Sequence, residues 1–214
     1  MKAAIKETDT TLWIAVVVAS VLWFAMFSPW TAPFLPFWPA MAVASMLLVS
    51  FARPWRRAFW DAKLSPRGVG QVLLGLGIAA VLWLLFWVGD KASSLLFDFA
   101  RPQVEQVYGM KEGSDQWLVA LQLLLLTGPA EELFWRGYVQ RGMSRMWGEN
   151  RAFVVATAIY ALIHVWSFNF MLVMAALVCG VVWGGLYRLR PQWLPALVVS
   201  HAVWDACVFV LFPI

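Results

Sequence analysis

Charge is scarce in this chain. Only 13% of its 214 residues are Asp, Glu, Lys or Arg, against 62% hydrophobic residues, and the mean hydropathy is +0.73. That balance excludes an ordinary soluble domain, which would be left with too much apolar surface facing water. Cysteine and histidine are scarcer still, with two of each. Cys179 and Cys207 stand alone without CxxC spacing, which excludes a disulfide framework or a zinc knuckle and reads both as small core residues. There is no HExxH, no internal repeat, no low-complexity tract and no phosphate-cradling glycine loop. Gly75-Leu76-Gly77 is too weak a signal inside an apolar run. No small-x-small cleavage site closes the first apolar run, so the first helix is expected to stay, although Lys2 and Lys6 precede it.

Apolar runs are what the chain has instead. They lie near residues 12–28, 34–52, 70–89, 117–137, 152–167, 168–187 and 193–212, judged against a need for ~20 residues per crossing. The expected fold is an all-α, polytopic transmembrane helix bundle of about seven spans, with the fifth the shortest. The long uncharged stretch from Ala152 to Tyr187 is divided at Trp166-Ser167-Phe168-Asn169, because one helix of that length would overshoot the hydrocarbon. The segment from Asp90 to Gln116 reads as an interfacial helix followed by a surface loop. Trp30 and Trp38 sit in a proline-rich loop at headgroup level, and the 15 tryptophans are read as interfacial anchors with no catalytic role. Gly180, Gly184 and Gly185 form a small-residue stripe that lets another helix approach closely.

Basic residues set the orientation. Lys2 and Lys6 precede the first run; Arg53, Arg56, Arg57, Lys63 and Arg67 follow the second; Arg141, Arg145 and Arg151 follow the fourth; Arg188 and Arg190 follow the sixth. The opposite side carries Lys91, Arg101 and Lys111, diluted by Asp90, Asp98, Glu105, Glu112 and Asp115. The asymmetry puts the N terminus inside. It also accounts for the net charge of +4 through topology and anionic lipid, with no nucleic-acid partner.

Against this background, ionisable residues within the apolar runs are costly and mark a site. Glu131-Glu132-Leu133-Phe134-Trp135-Arg136 interrupts the fourth run, Tyr160 precedes His164 by one helical turn in the fifth, and Asp205 follows His201 by one turn in the seventh. Residues four apart share a helix face, so each pair offers two polar groups to one neighbour. A single buried histidine is most simply a packing residue; three polar patches in three spans point to a common site. Glu132 and Arg136 have the favourable order for a helical ion pair, which assigns Arg136 to holding Glu132 and the inner helix end. Glu131, about 100° around the helix, is left as the catalytic carboxylate. Counted at about 1.5 Å per residue from the basic ends, Glu131, His201 and His164 lie about 9, 12 and 18 Å deep. They are expected to share a cavity that water reaches from the cytoplasm. There Glu131 deprotonates a water held by His164, and His201 donates to the oxyanion. The same Glu131, His164 and His201 would also make a His₂Glu zinc set with an open position, and zinc stays the alternative to a site without cofactor.

These three motifs, in this order and spacing, resemble those of the type II CAAX prenyl protease and bacteriocin-processing (CPBP) intramembrane endopeptidases, over about residues 117–212. The resemblance implies residues 1–115 as N-terminal transmembrane helices with an interfacial segment, and residues 116–214 as a catalytic helix core. It implies a glutamic-type protease in which Glu131 and His164 activate water while His201 and Asp205 stabilise the oxyanion, with Glu132, Arg136 and Tyr160 in support. The substrate implied is a membrane-anchored or lipidated peptide. Tyr160 stands where Phe is frequent in the family, and Asp205 where Asn is frequent. An ionised Asp205 would repel an oxyanion, so it is either kept protonated or orients His201. The compact form suggests a bacterial inner-membrane protein with its site opening toward the cytoplasm. The competing readings are a catalytically silent membrane scaffold or immunity protein of the same fold, and a proton-coupled transporter, which the lack of repeats disfavours.

Overall fold

The computed structural model describes residues 2–52 and 66–214, with side chains from Thr10 to Ala52 and from Gly68 onward. Lys2, Lys6, Arg53, Arg56, Arg57, Lys63 and Arg67, used above for orientation, lie outside the described side chains. Among the described residues there is no strand. The helices are α1 (Lys2–Phe27), α2 (Phe37–Phe51), α3 (Pro66–Leu96), α4 (Ala100–Gly109), α5 (Gln116–Trp147), α6 (Glu149–Leu162), α7 (Phe170–Leu189) and α8 (Leu194–Ala206, continued by a wide turn over Cys207–Leu211).

Five of these are long and apolar enough to cross a membrane. The expected second and fifth spans are helices too, but of only 15 and 14 residues. The protein is an integral membrane helix bundle, and its outward surface agrees: Val69, Leu73, Val81 and Leu84 of α3 are all more than half exposed. In water such a face would be a liability; against lipid tails it is the solvated side.

Chain reversals follow local chemistry. Asp115 caps α5, its Oδ1 accepting from the backbone N–H of Trp117 and Leu118 at 2.8 and 3.1 Å. The fifth and sixth runs separate where expected. Val165–Ser167 forms a tight turn, Phe168 takes a left-handed conformation (φ 51°), and Asn169 caps α7 by accepting from Leu172 N–H at 2.9 Å. The region read as interfacial divides differently, since α3 runs on through Leu96 before α4 begins.

Glycine sets how closely α8 is gripped. A Cβ at Gly128 would lie 2.6 Å from the Ala202 Cα, and one at Gly75 would lie 2.5 Å from the Ala196 carbonyl oxygen. Both α5 and α3 therefore lean directly on the α8 backbone, which carries His201. The Gly180 and Gly184 stripe of α7 instead receives α6: Thr157 Oγ1 donates to the Gly180 carbonyl at 3.2 Å, and a Gly180 Cβ would meet the Tyr160 ring at 3.3 Å. Gly128→Ala should lower stability by about 1–3 kcal/mol, since backbone cannot yield as a side chain can. Gly77→Ala, where a Cβ meets nothing within 4 Å, should be neutral or slightly stabilising. Thermal unfolding of the two variants in detergent micelles makes the comparison.

Candidate active site

The two adjacent glutamates lie on a short α-helical stretch, Gly128–Phe134, bounded by wide π-type turns at Leu123–Thr127 and Trp135–Gln140. Pro129 supplies a reason for the first of these. It has no N–H to donate, and its ring crowds the carbonyl four residues earlier, at Leu125. Wide turns re-aim the residues beside them and recur at functional sites.

Glu131 and Glu132 end in different environments. Glu132 is fully buried, and its Oε1 accepts from Arg136 Nη1 at 2.8 Å while lying 3.0 Å from His201 Nδ1. Its Oε2 is buried with no hydrogen-bond partner among the described residues. Glu131 takes no part in this cluster. Its Oε2 accepts from the Tyr160 hydroxyl at 3.2 Å, and it lines a cavity of about 560 Å³ that Glu132 does not reach. The helical pairing expected from i,i+4 spacing is therefore present, although Arg136 reaches further than the helix end assigned to it. Its Nη2 donates to the Cys179 carbonyl at 3.4 Å, and its guanidinium lies over the Tyr160 ring at 4.7 Å and the Trp183 ring at 5.6 Å.

His201 is held on both sides. Beyond Glu132 at Nδ1, its Nε2 lies 3.3 Å from Asp205 Oδ2, and its ring stacks on Trp183 at 4.0 Å between centroids. Two carboxylates facing two ring nitrogens suit a ring protonated at both. In this arrangement the N–H assigned to an oxyanion is occupied by Asp205. That contact is long, and Asp205 reaches the cavity.

His164 lies just past the end of α6, in the tight turn. Its Nδ1 is 2.8 Å from the Tyr160 carbonyl, which can only accept, and its Nε2 is 3.0 Å from the Trp23 indole nitrogen, which can only donate. The tautomer follows from these partners: the proton sits on Nδ1 and the lone pair on Nε2. Tyr160 thus joins the first glutamate to the first histidine, through its hydroxyl at one and its backbone at the other. Glu131, His164 and His201 all line the cavity, but not as a close set of ligands. Among the described residues no group of three His, Cys, Asp or Glu side chains is placed to hold a metal ion.

Trp23 is the partner that sequence reasoning missed. It comes from α1, 141 residues away in the chain, and is buried to 1% exposure, as are Trp135 at 1% and Trp183 at 0%. Reading all the tryptophans as interfacial anchors overlooked these three. Hydropathy by itself carries no signal that separates a buried tryptophan from an interfacial one.

The cavity extends in one direction only. Its lining includes Glu131, Tyr160, His164, Cys179, His201 and Asp205, and continues to Asp90, Ser93 and Tyr108. None of it comes from residues 132–159 or 180–200, where Val139, Met143, Trp183 and Leu197 are fully buried. The lining thus lies away from the basic ends of α5 and α7, from which access was expected, and continues toward their opposite ends.

Residues 113–207 match the family described as type II CAAX prenyl endopeptidase Rce1-like. No curated protein and no solved structure matches the chain. Glu132→Gln should cost roughly 3–5 kcal/mol, because it leaves Arg136 and His201 around a neutral group in a buried site. Glu131→Gln should leave unfolding nearly unchanged. Thermal melts of the purified variants in detergent test this, and equal losses would show that the two glutamates share one structural role.

Proposed function

Because residues 113–207 are a Rce1-like domain of the CAAX-type intramembrane proteases, set in a chain with membrane-spanning helices, we propose that this protein is a glutamic-type intramembrane endopeptidase of a bacterial plasma membrane. Its substrate is a membrane-anchored or lipidated peptide. The observation that carries this reading is the separation of the glutamates: Glu131 faces the cavity together with His164, His201 and Asp205, while Glu132 is sealed behind it with Arg136.

In this reading the reacting water enters the cavity and is taken up beside the Glu131 carboxylate, which lines it. Glu131 takes a proton from it as the water oxygen attacks the carbonyl carbon, and the His164 Nε2 lone pair orients the water when the Trp23 indole gives way to it. Negative charge develops on the carbonyl oxygen. His201 Nε2–H answers that charge by turning from Asp205 Oδ2 to the oxyanion, while Glu132 keeps the ring in place through Nδ1. Glu131 then returns its proton to the leaving amine as the C–N bond breaks. The carbonyl re-forms as a carboxylic acid whose remaining proton passes to the released amine, so the products are a carboxylate and an ammonium group, and no metal enters the sequence. In this scheme Asp205 orients His201 and stabilises its charged form.

Glu131→Gln should reduce cleavage by at least ~10²-fold, within the range by which general acid–base groups contribute. Comparing peptide termini in membranes from cells carrying the wild type or Glu131→Gln tests this and identifies the substrate together. Termini that vanish in the variant support the reading; unchanged termini would transfer it to a catalytically silent scaffold. Asp205→Asn should keep KM near the wild-type value and lower kcat, since a neutral amide holds His201 less firmly in its charged form. An unchanged kcat would assign Asp205 a neutral hydrogen-bonding role instead.

A further inference from the structure

The cavity and the charges of the chain point to opposite ends of the bundle. At one end meet the start of α1, the close of α5 and the start of α6: Trp13 and Trp147 rings lie 5.8 Å apart, and Arg188 Nε donates to Asn150 Oδ1 at 2.7 Å. Among the described side chains, Arg141, Arg145, Arg151, Arg188 and Arg190 all fall at this end, on the close of α5, the start of α6 and the close of α7. The other end is drawn together by Trp38 Nε1 donating to the Met110 carbonyl at 3.1 Å and by Asn169 Nδ2 donating to the Gln103 carbonyl at 2.7 Å. It carries the acidic residues Asp90, Asp98, Glu105, Glu112 and Asp115.

The cavity belongs wholly to this second, acidic end. From α1 it takes nothing before Trp23, from α2 nothing beyond Met41, and from α3 nothing before Leu85. Basic segments are retained on the cytoplasmic side of a membrane, with the bias counted over the short loops near helix ends. Resting on the endopeptidase reading above, we propose that the cavity is filled from the extracytoplasmic face, and that the substrate is an apolar peptide segment at the extracytoplasmic end of a membrane-anchored chain.

The lining suits such an occupant. Around the mouth, Trp38, Phe97, Met110 and Phe209 offer aromatic and thioether surface, while Asp90 and Ser93 mark its polar rim. Methionine and aromatic side chains accept apolar groups of varied shape, and a few placed polar groups orient them. A segment anchored from that side descends past this rim to Glu131. A peptide on the cytoplasmic side meets the packed wall of Val139, Met143 and Leu197 instead.

Sidedness is measured without any catalytic assay. In a full-length chain with Cys179 and Cys207 replaced by alanine, single cysteines are introduced as Glu112→Cys at the cavity end and Glu149→Cys at the basic end, both at exposed positions. Intact bacterial cells are treated with a membrane-impermeant maleimide. Labelling of Glu112→Cys in intact cells, with Glu149→Cys labelled only after permeabilisation, is expected. The reverse pattern, or equal labelling of both, overturns the assignment while leaving the endopeptidase reading intact. In the comparison of termini, cuts lost with Glu131→Gln should lie in extracytoplasmic segments. Cuts confined to cytoplasmic segments would overturn the substrate side, whereas the absence of any lost cut would count against the endopeptidase itself.

Discussion

A carboxylate with no access to water organises this bundle. Glu132 is fully buried in a membrane protein, where an unpaired charge is prohibitive, and it is tolerated because Arg136 and His201 both approach the same oxygen. Those contacts fix more than one helix pair. His201 brings α8 to α5, while Arg136 reaches on to the Cys179 carbonyl of α7 and lies over the Tyr160 ring of α6. Four helices thus converge on one ion cluster, and the residues of the candidate site stand at its edge. The cluster is costly to desolvate and adds little as an isolated pair. Its consequence is geometric, since moving α8 away from α5 would part His201 from Glu132, and moving α6 or α7 would uncover the Arg136 guanidinium.

Close backbone packing makes the convergence possible. Gly75 and Gly128 let α3 and α5 rest directly on α8, and Gly180 accommodates Tyr160 of α6. With helices this near, the cavity takes no lining from residues 132–159 or 180–200 and is confined to the other side of Glu131. Sidedness therefore follows from where small residues allow the helices to close and where bulky ones hold them apart. Trp23 belongs to the same logic. Its indole fills the space beside His164 and supplies the one donor that completes the histidine tautomer.

Much of the site was legible because helical periodicity is a local property. The i,i+4 spacing of Glu132 and Arg136 specified their pairing, the same spacing put Asp205 beside His201, and the leftover Glu131 pointed elsewhere, to Tyr160. The turn at Phe168 was readable from length alone. Less legible were the occupied nitrogens of His164 and His201. Whether a ring nitrogen is free depends on what a distant helix presents to it, and spacing within one helix carries no information about that. Depth counts put Glu131, His164 and His201 in one cavity, which all three line, but carried no information about access. They measured distance from one end along each helix, while access depends on which end the neighbours leave open.

By itself the sequence determined that the chain is a membrane-spanning helix bundle, that the Glu, Arg, His and Asp residues inside its apolar runs fall on three of those runs, and which residues within a helix share a face. Hydropathy and a 3.6-residue period settle these, and neither needs a partner helix. Only the tertiary structure decided that Glu132 would be sealed and Glu131 left facing the cavity, that Trp23 from the first helix would complete His164, and that the cavity would run away from the basic ends. Each of these depends on contacts between residues far apart in the chain, set by how closely the helix backbones can approach.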